Sequence, residues 1–278
     1  MATPVSAAPL TSKITIYGWS TKSAGEWVRR FHPSPEAELR LVLFPHAGGS
    51  ASYYFPFSQA LAPDIEVLSL QYPGRQDRRG EECITSISEL ADRVYAELQP
   101  WTDGPFAFFG HSMGSILACE VAQRFQRRRG QEPLRLFASG YPAPSRLPSG
   151  TVHLRDEAGL VRELREVGGT DPQWLEDKDL LAAILPAVRG DYQAIETHSW
   201  EPVPPLDCPI TMLVGNHDPH TSMEQAAAWQ NHTTGEFTMQ VFEGGHFYLE
   251  NHRAEVVDTV STALAKALST LTADRSLS

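Results

Sequence analysis

Short, uniformly apolar runs recur along this chain, and amphipathic stretches fill most of the intervals between them. Leu39–Phe44, Ile65–Leu70, Phe106–Phe109, Leu134–Gly140 and Pro209–Gly215 each read as a buried strand, and Thr238–Phe242 as the last one. Trp27–Phe31 alternates weakly and predicts an edge strand, closed by His32-Pro33 because proline cannot donate to a ladder. Between these runs the apolar positions fall at helical spacing. Tyr53–Leu61 is one such helix. Ile84, Ile87, Leu90, Ala91, Val94 and Leu98 mark a second, stopped by Pro100; Ile116–Phe125 and Asn251–Leu268 mark two more. Strands alternating with helices imply an α/β protein with a mostly parallel, doubly wound sheet.

The alternation breaks at Tyr141-Pro142-Ala143-Pro144-Ser145. From 145 to 205 only helical patterns occur, Leu154–Val167 and Lys178–Thr197, around a joint at Gly168-Gly169-Thr170-Asp171-Pro172. This predicts a helical lid inserted at the C-terminal edge of the sheet. The expected organisation is an N-terminal arm at 1–24, with little pattern beyond Lys13–Tyr17, a core formed by 25–144 and 206–272, and the lid at 145–205. The polar tail from Ala273 is expected to fray.

Composition narrows the class. The 278 residues are 41% hydrophobic and 21% charged, ordinary for a globular chain. No apolar run approaches the ~20 residues of a membrane span, and the start at Met1 has neither a basic nor an apolar leader region. A net charge of −11 argues against nucleic acid and anionic membrane as partners. Arg127-Arg128-Arg129 reads as a solvated helix end favoured by the helix dipole. Cys83, Cys119 and Cys208 show neither disulfide nor metal spacing, which suits a reducing cytoplasm, and Cys119 reads as a buried small hydrophobe.

The chemistry concentrates at Gly110-His111-Ser112-Met113-Gly114, a G-x-S-x-G between a strand and a helix. A strand-to-helix turn of this kind holds a serine in a strained conformation with its hydroxyl exposed. A serine hydroxyl needs a base and a carboxylate to orient that base. His246 follows the last strand in a glycine-rich turn, and Asp218 directly follows the strand before it. Ser112, Asp218, His246 is the serine, acid, histidine order of α/β-hydrolases. Asp207 precedes its strand and lies at the wrong edge, and Asp191 lies in the predicted lid. His217 and His220 have H-x-x-H spacing but no third ligand in view, so they read as loop histidines and no metal is expected. Pro45-His46-Ala47-Gly48-Gly49-Ser50 follows the first core strand, where an oxyanion loop belongs. The backbone N–H groups of Ala47 and Met113 are the expected donors, with His46 in a structural role. Arg75, Arg78 and Arg79 read as solvated.

These motifs, with Phe44–Ala51, Gln71-Tyr72-Pro73-Gly74-Arg75, the 215–219 acid loop and Gly244-Gly245-His246-Phe247, resemble the type II thioesterases of polyketide and nonribosomal peptide assembly lines, from about Trp27 to the last helix. The resemblance implies an α/β-hydrolase fold with a mobile lid over an acyl chamber. Its implied substrate is acyl groups thioesterified to the phosphopantetheine arm of an acyl or peptidyl carrier protein, from which aberrant units are removed. That arm belongs to the partner, so no cofactor is implied. Because carrier proteins are usually acidic, docking is expected to be local, through Arg75 or Arg78, or mainly apolar. The Met1 start and short tail suggest a free-standing protein, expected to be a monomer. The same triad also serves a general carboxylesterase, a chain-releasing acyltransferase or cyclase, or, with the chemistry dead, a carrier-binding module.

Overall fold

The computed structural model describes residues 26–276. The expected arm at 1–24 lies outside them. A seven-stranded sheet forms from β1 (Val28–Arg29), β2 (Arg40–Phe44), β3 (Glu66–Leu70), β4 (Phe106–His111), β5 (Leu136–Ser139), β6 (Ile210–Gly215) and β7 (Phe237–Phe242), in the order β1-β3-β2-β4-β5-β6-β7. Only β1 is antiparallel, pairing Val28 with Leu70. The parallel strands put their C-terminal ends along one edge, so loops leaving β2, β4, β6 and β7 meet there.

The helices are α1 (Phe55–Leu61), α2 (Ile87–Leu98), α3 (Met113–Arg129), α4 (Glu157–Val167), α5 (Lys178–Glu196), α6 (Met223–Ala227), α7 (Tyr248–Asn251) and α8 (Arg253–Ser276). Successive side chains of a strand point to opposite faces, and the core divides accordingly. Val42, Phe44, Phe106 and Phe108 join residues of α2 and α3 on one face. Leu41, Leu43, Ala107 and Phe109 join residues of α1 and α8 on the other. Strands buried on both sides must be apolar throughout, which is why their runs are uninterrupted.

Residues 145–205, between β5 and β6, hold α4 and α5 and no strand. Leu160, Leu164, Leu185 and Val188 pack there as a third cluster, separate from the two beside the sheet. Asp156 caps α4 through Gly159 N–H, and Asp177 caps α5 through the amides of Asp179 and Leu180.

Some boundaries differ from expectation. The edge strand is only two residues long. The helix expected from Tyr53 begins with a 3₁₀ turn at Ala51–Tyr54 and becomes α-helical at Phe55, where Pro56 occupies the first turn. The polar tail expected to fray instead continues α8 to Ser276.

Candidate active site

At the junction of β4 and α3, Ser112 has φ 55° and ψ −127°, a left-handed-side conformation that non-glycine residues seldom adopt. The surrounding fold enforces it. A Cβ on Gly110 would stand 2.1 Å from the Gly114 carbonyl oxygen, and one on Gly114 would stand 2.1 Å from that of Phe44. Strand and helix therefore close to a distance only glycine permits. Ser112 N–H donates to Ser139 O at 2.7 Å, and the Ser115 hydroxyl, 2.8 Å from both Gly110 O and Ser139 O, shares its one proton between them, pinning the turn to β5. Ser115 and Ser139 were not singled out from sequence. Serine in a glycine-rich turn gives no sign of which strand it will bridge.

The residues expected to serve Ser112 come together at the same edge. His246 Nδ1 lies 2.9 Å from Asp218 Oδ2, with both side chains almost wholly buried. A carboxylate can only accept, so Nδ1 holds the proton and Nε2 is left as an acceptor. The other Asp218 oxygen, Oδ1, accepts the His220 N–H at 2.8 Å. Asn216 Oδ1 accepts the Gly244 N–H at 2.9 Å, tying the acid loop to the histidine loop. Asp207 stands exposed before β6 at the opposite edge.

Three further imidazoles surround His246. His111 and His220 have ring centroids 5.0 and 5.3 Å from it, and His46 lies 6.0 Å from His111. Burial, reinforced by His246 and then Arg75, pushes His46 down to about 3. Burial, followed by His246 and His46, holds His111 well below the ordinary histidine value, and burial followed by His246 lowers His220. These three rings are therefore neutral near pH 7, and of the four described rings His246 is the one hydrogen-bonded to a carboxylate. His46 packs edge-on against Tyr53 and Phe247, both at 4.8 Å, a packing position. His111 Nδ1 meets Ser139 Oγ at 2.9 Å, and Ser139 Oγ meets the Tyr248 hydroxyl at 2.7 Å, which braces the floor of the site.

A cavity of about 330 Å³ opens on Ser112 and His246. Ala47 and Met113 line one wall; Leu164, Ile184, Val188 and Ile195 of α4 and α5 line the other. Met113 is the first residue of α3, so its N–H has no acceptor within the helix. In the turn after β2, Gly48 N–H donates to Asp191 Oδ2 at 2.7 Å and Gly49 N–H to His46 O at 2.9 Å; the Ala47 amide lies outside those commitments. Gly168 and Gly169, the expected joint, both have positive φ, and a Cβ on Gly169 would run into the Phe247 ring at 2.3 Å.

Two arginines correct the sequence reading. Arg75 and Arg78 were expected to be solvated and available for docking, yet both are buried. Arg75 makes two 2.9 Å bonds to the buried Asp191 carboxylate. Arg78 stacks 4.5 Å over the Trp27 ring and binds Glu81 and the Gln71 carbonyl. Arg79 is exposed, as expected. The sign that was available is the position of Asp191 on the apolar stripe of α5, in line with Ile184, Val188 and Ile195. A carboxylate on such a stripe needs a buried cation.

A family model for thioesterase domains matches residues 39–264. The chain belongs to the thioesterase family. Thioesterase PikA5 of Streptomyces venezuelae is 46% identical over 242 residues, covering 87% of this chain and 86% of that protein. The probable cadicidin biosynthesis thioesterase of Streptomyces griseus is 48% identical over 246 residues, covering 88% and 67%. Among solved structures, the type II thioesterase BorB from the borrelidin biosynthetic cluster superposes with a TM-score of 0.83 at 45% identity, covering 88% of this chain and all of that one. The α/β-hydrolase architecture of this thioesterase follows from its sheet and from that likeness. Among its described residues no helix is long and apolar enough to cross a membrane.

Proposed function

We propose that this thioesterase hydrolyses acyl groups from the phosphopantetheine arm of acyl or peptidyl carrier proteins, removing aberrant or stalled units from a polyketide or nonribosomal peptide synthase, with Ser112 as nucleophile. The observation that carries the catalytic reading is the buried 2.9 Å contact of His246 with Asp218 beside a serine held at φ 55°, all on one cavity. The relatives, thioesterases of which one is named for cadicidin biosynthesis and one comes from the borrelidin biosynthetic cluster, support the choice of substrate.

In this reading His246 Nε2 takes the Ser112 proton as Oγ attacks the thioester carbonyl. The N–H groups of Ala47 and Met113 hold the oxyanion, each worth about 3 kcal/mol by comparison with a typical oxyanion donor. The thiol departs with the proton from His246. Water, deprotonated by the same ring, then cleaves the acyl-enzyme and frees the acid. Asp218 stays ionised and keeps the proton on Nδ1. Thiolate is a good leaving group, so proton delivery to it need not be complete. The wall from α4 and α5 is apolar, which suits an acyl chain, and in this reading the two helices form a movable lid. No cofactor of its own is called for, since the pantetheine comes with the carrier. The groups of this mechanism come from one chain, which supports a monomer as the working unit, and the free thiols of Cys83, Cys119 and Cys208 suit a reducing cytoplasm.

The test is turnover of a short acyl group on a carrier protein beside the same acyl group on a small oxygen ester. We expect a strong preference for the carrier thioester and a loss of at least ~10⁴-fold in Ser112→Ala. Preference for the ester, with no gain from the carrier, would leave the triad and make the protein a general carboxylesterase. Turnover retained by Ser112→Ala would falsify the catalytic reading.

A further inference from the structure

The carboxylate of Asp191 belongs to α5, on the far wall of the cavity, yet its hydrogen bonds run to the turn after β2. It is 1% exposed and accepts from Gly48 N–H at 2.7 Å and from both terminal nitrogens of Arg75 at 2.9 Å. Arg75 Nη1 also donates to Gly49 O at 3.3 Å. One helical turn before Asp191, Val188 presses on the same place: a Cβ on Gly48, whose φ is +73°, would lie 2.6 Å from Val188 Cγ2.

The peptide planes of the turn show what this does. A trans peptide is planar, with its N–H opposed to its C=O, so fixing one group aims the other. The Ala47 N–H shares a plane with the His46 carbonyl, which accepts from Gly49 N–H at 2.9 Å. The next plane ends in the Gly48 N–H, which Asp191 holds. The plane bearing the Gly49 carbonyl is held by Arg75. With its own plane and its neighbours fixed, the Ala47 amide has one direction left.

We propose that Asp191, with Arg75 as its counter-charge, is a positioning residue that aims the Ala47 amide at the developing oxyanion. The proposal rests on the oxyanion reading given above. Stability alone does not call for such a pair, because well-packed apolar residues often replace a buried ion pair without loss. The geometry at Gly48, by contrast, needs an acceptor at that point. It also makes the oxyanion hole depend on α5, so a substrate-binding wall and a catalytic element are parts of one unit.

The test compares wild type, Ser112→Ala, Asp191→Asn and the paired variant Arg75→Met with Asp191→Leu. Asp191→Asn leaves a buried guanidinium uncompensated and risks the fold; the paired variant removes both charges and keeps the bulk. The readouts are melting temperature, KM and kcat on a short acyl-pantetheine thioester, and affinity for two probes. One probe is a short alkylboronic acid, whose boron bonds to Ser112 Oγ while the serine proton passes to His246, giving a tetrahedral adduct with an oxygen in the hole. The other is a non-hydrolysable thioether analogue of the ground state. We expect kcat and boronate affinity to fall together by about 10- to 100-fold, part of what a lost oxyanion donor costs. KM and thioether affinity should stay within about threefold, and the paired variant should melt near wild type. The proposal is overturned if the paired variant keeps kcat and boronate affinity within about threefold, or if thioether binding falls as much as boronate binding. Failure of both variants to fold also overturns it, by making the pair an element of assembly alone. Wild type that neither turns over the thioester nor binds the boronate, or Ser112→Ala that does both, would remove the oxyanion reading itself.

Discussion

At Gly114 a single methyl group decides whether the Ser112 turn can close, since a Cβ there would stand 2.1 Å from the Phe44 carbonyl oxygen. Backbone on both sides leaves no soft side chain to yield. Gly114→Ala is therefore expected to cost at least the ~1–3 kcal/mol typical of overpacking. Gly104→Ala, at a position with open space around it, should change little. Denaturant titration of the two variants checks this, and equal midpoints would remove the steric argument. At this scale the sequence was most informative where chemistry dictates residue type. Ser112, Asp218 and His246 stood out in the sequence because a nucleophile, an acid and a base would have to follow strand ends in a set order, and the fold brings Asp218 within 2.9 Å of His246 on the cavity that Ser112 lines. Arg75 was not, because the residue that buries it stands on another element more than a hundred positions away. Asp191 could have been read as misplaced polarity on an apolar stripe, but its partner could not.

Among the elements, α4 and α5 differ from the rest in how they are held. Apolar residues of α4 and of α5 up to Val188 form a cluster of their own, with only Ala194 and Ile195 near the end of α5 joining the main core, whereas α3 lies in that core with most of its residues buried. Local opening free energy follows buried apolar contact. Amides of α4 and of the first half of α5 should thus exchange with deuterium well before those of β4 and α3, while the stretch around Asp191 is held back by its ion pair. Peptide-resolved hydrogen exchange reads this directly; uniform protection across α3, α4 and α5 would contradict it. The elements themselves were largely visible in the sequence, because a strand buried on both faces must be an unbroken apolar run and a helix must repeat near 3.6 residues. The 3₁₀ turn at Ala51–Tyr54 and the extension of α8 were not, since nothing in a short polar or alanine-rich stretch fixes where a helix ends.

For the whole molecule, buried histidines set how stability depends on acidity. His46 is lowered to about 3 and His232 to about 4 by burial, and His111 lies well below its ordinary value. His232 Nε2 also faces the Ser145 hydroxyl at 2.9 Å. In the unfolded chain these groups take up protons below about pH 6.5, whereas in the folded chain they stay neutral to lower pH. The unfolded state therefore binds more protons in that window, and stability rises with pH across it. It is present in full above about 6.5 and is lost as pH falls toward 4. For His232 the loss by pH 5 is at most about 2 kcal/mol, and less to the extent that water reaches its ring. The half-buried His252, raised by its hydrogen bond to Glu255, acts in the opposite sense. Urea unfolding at pH 7.5 and 5.0 should show wild type weakening on acidification and His232→Gln weakening less. Equal slopes for the two proteins would exclude His232 as a contributor.

The loops that hold Ala47, Ser112, Asp218 and His246 leave four different strands, of which β7 comes last in chain order. A ribosome-bound chain not yet extended through β7 has Ser112 but neither His246, the proposed base, nor the edge of the sheet that would present it. On the proposed mechanism such a chain is chemically silent. Turnover by that mechanism therefore begins only once β7 has joined the sheet. Recovery of activity after dilution from denaturant then reports closure of the sheet at β7 rather than collapse of its centre.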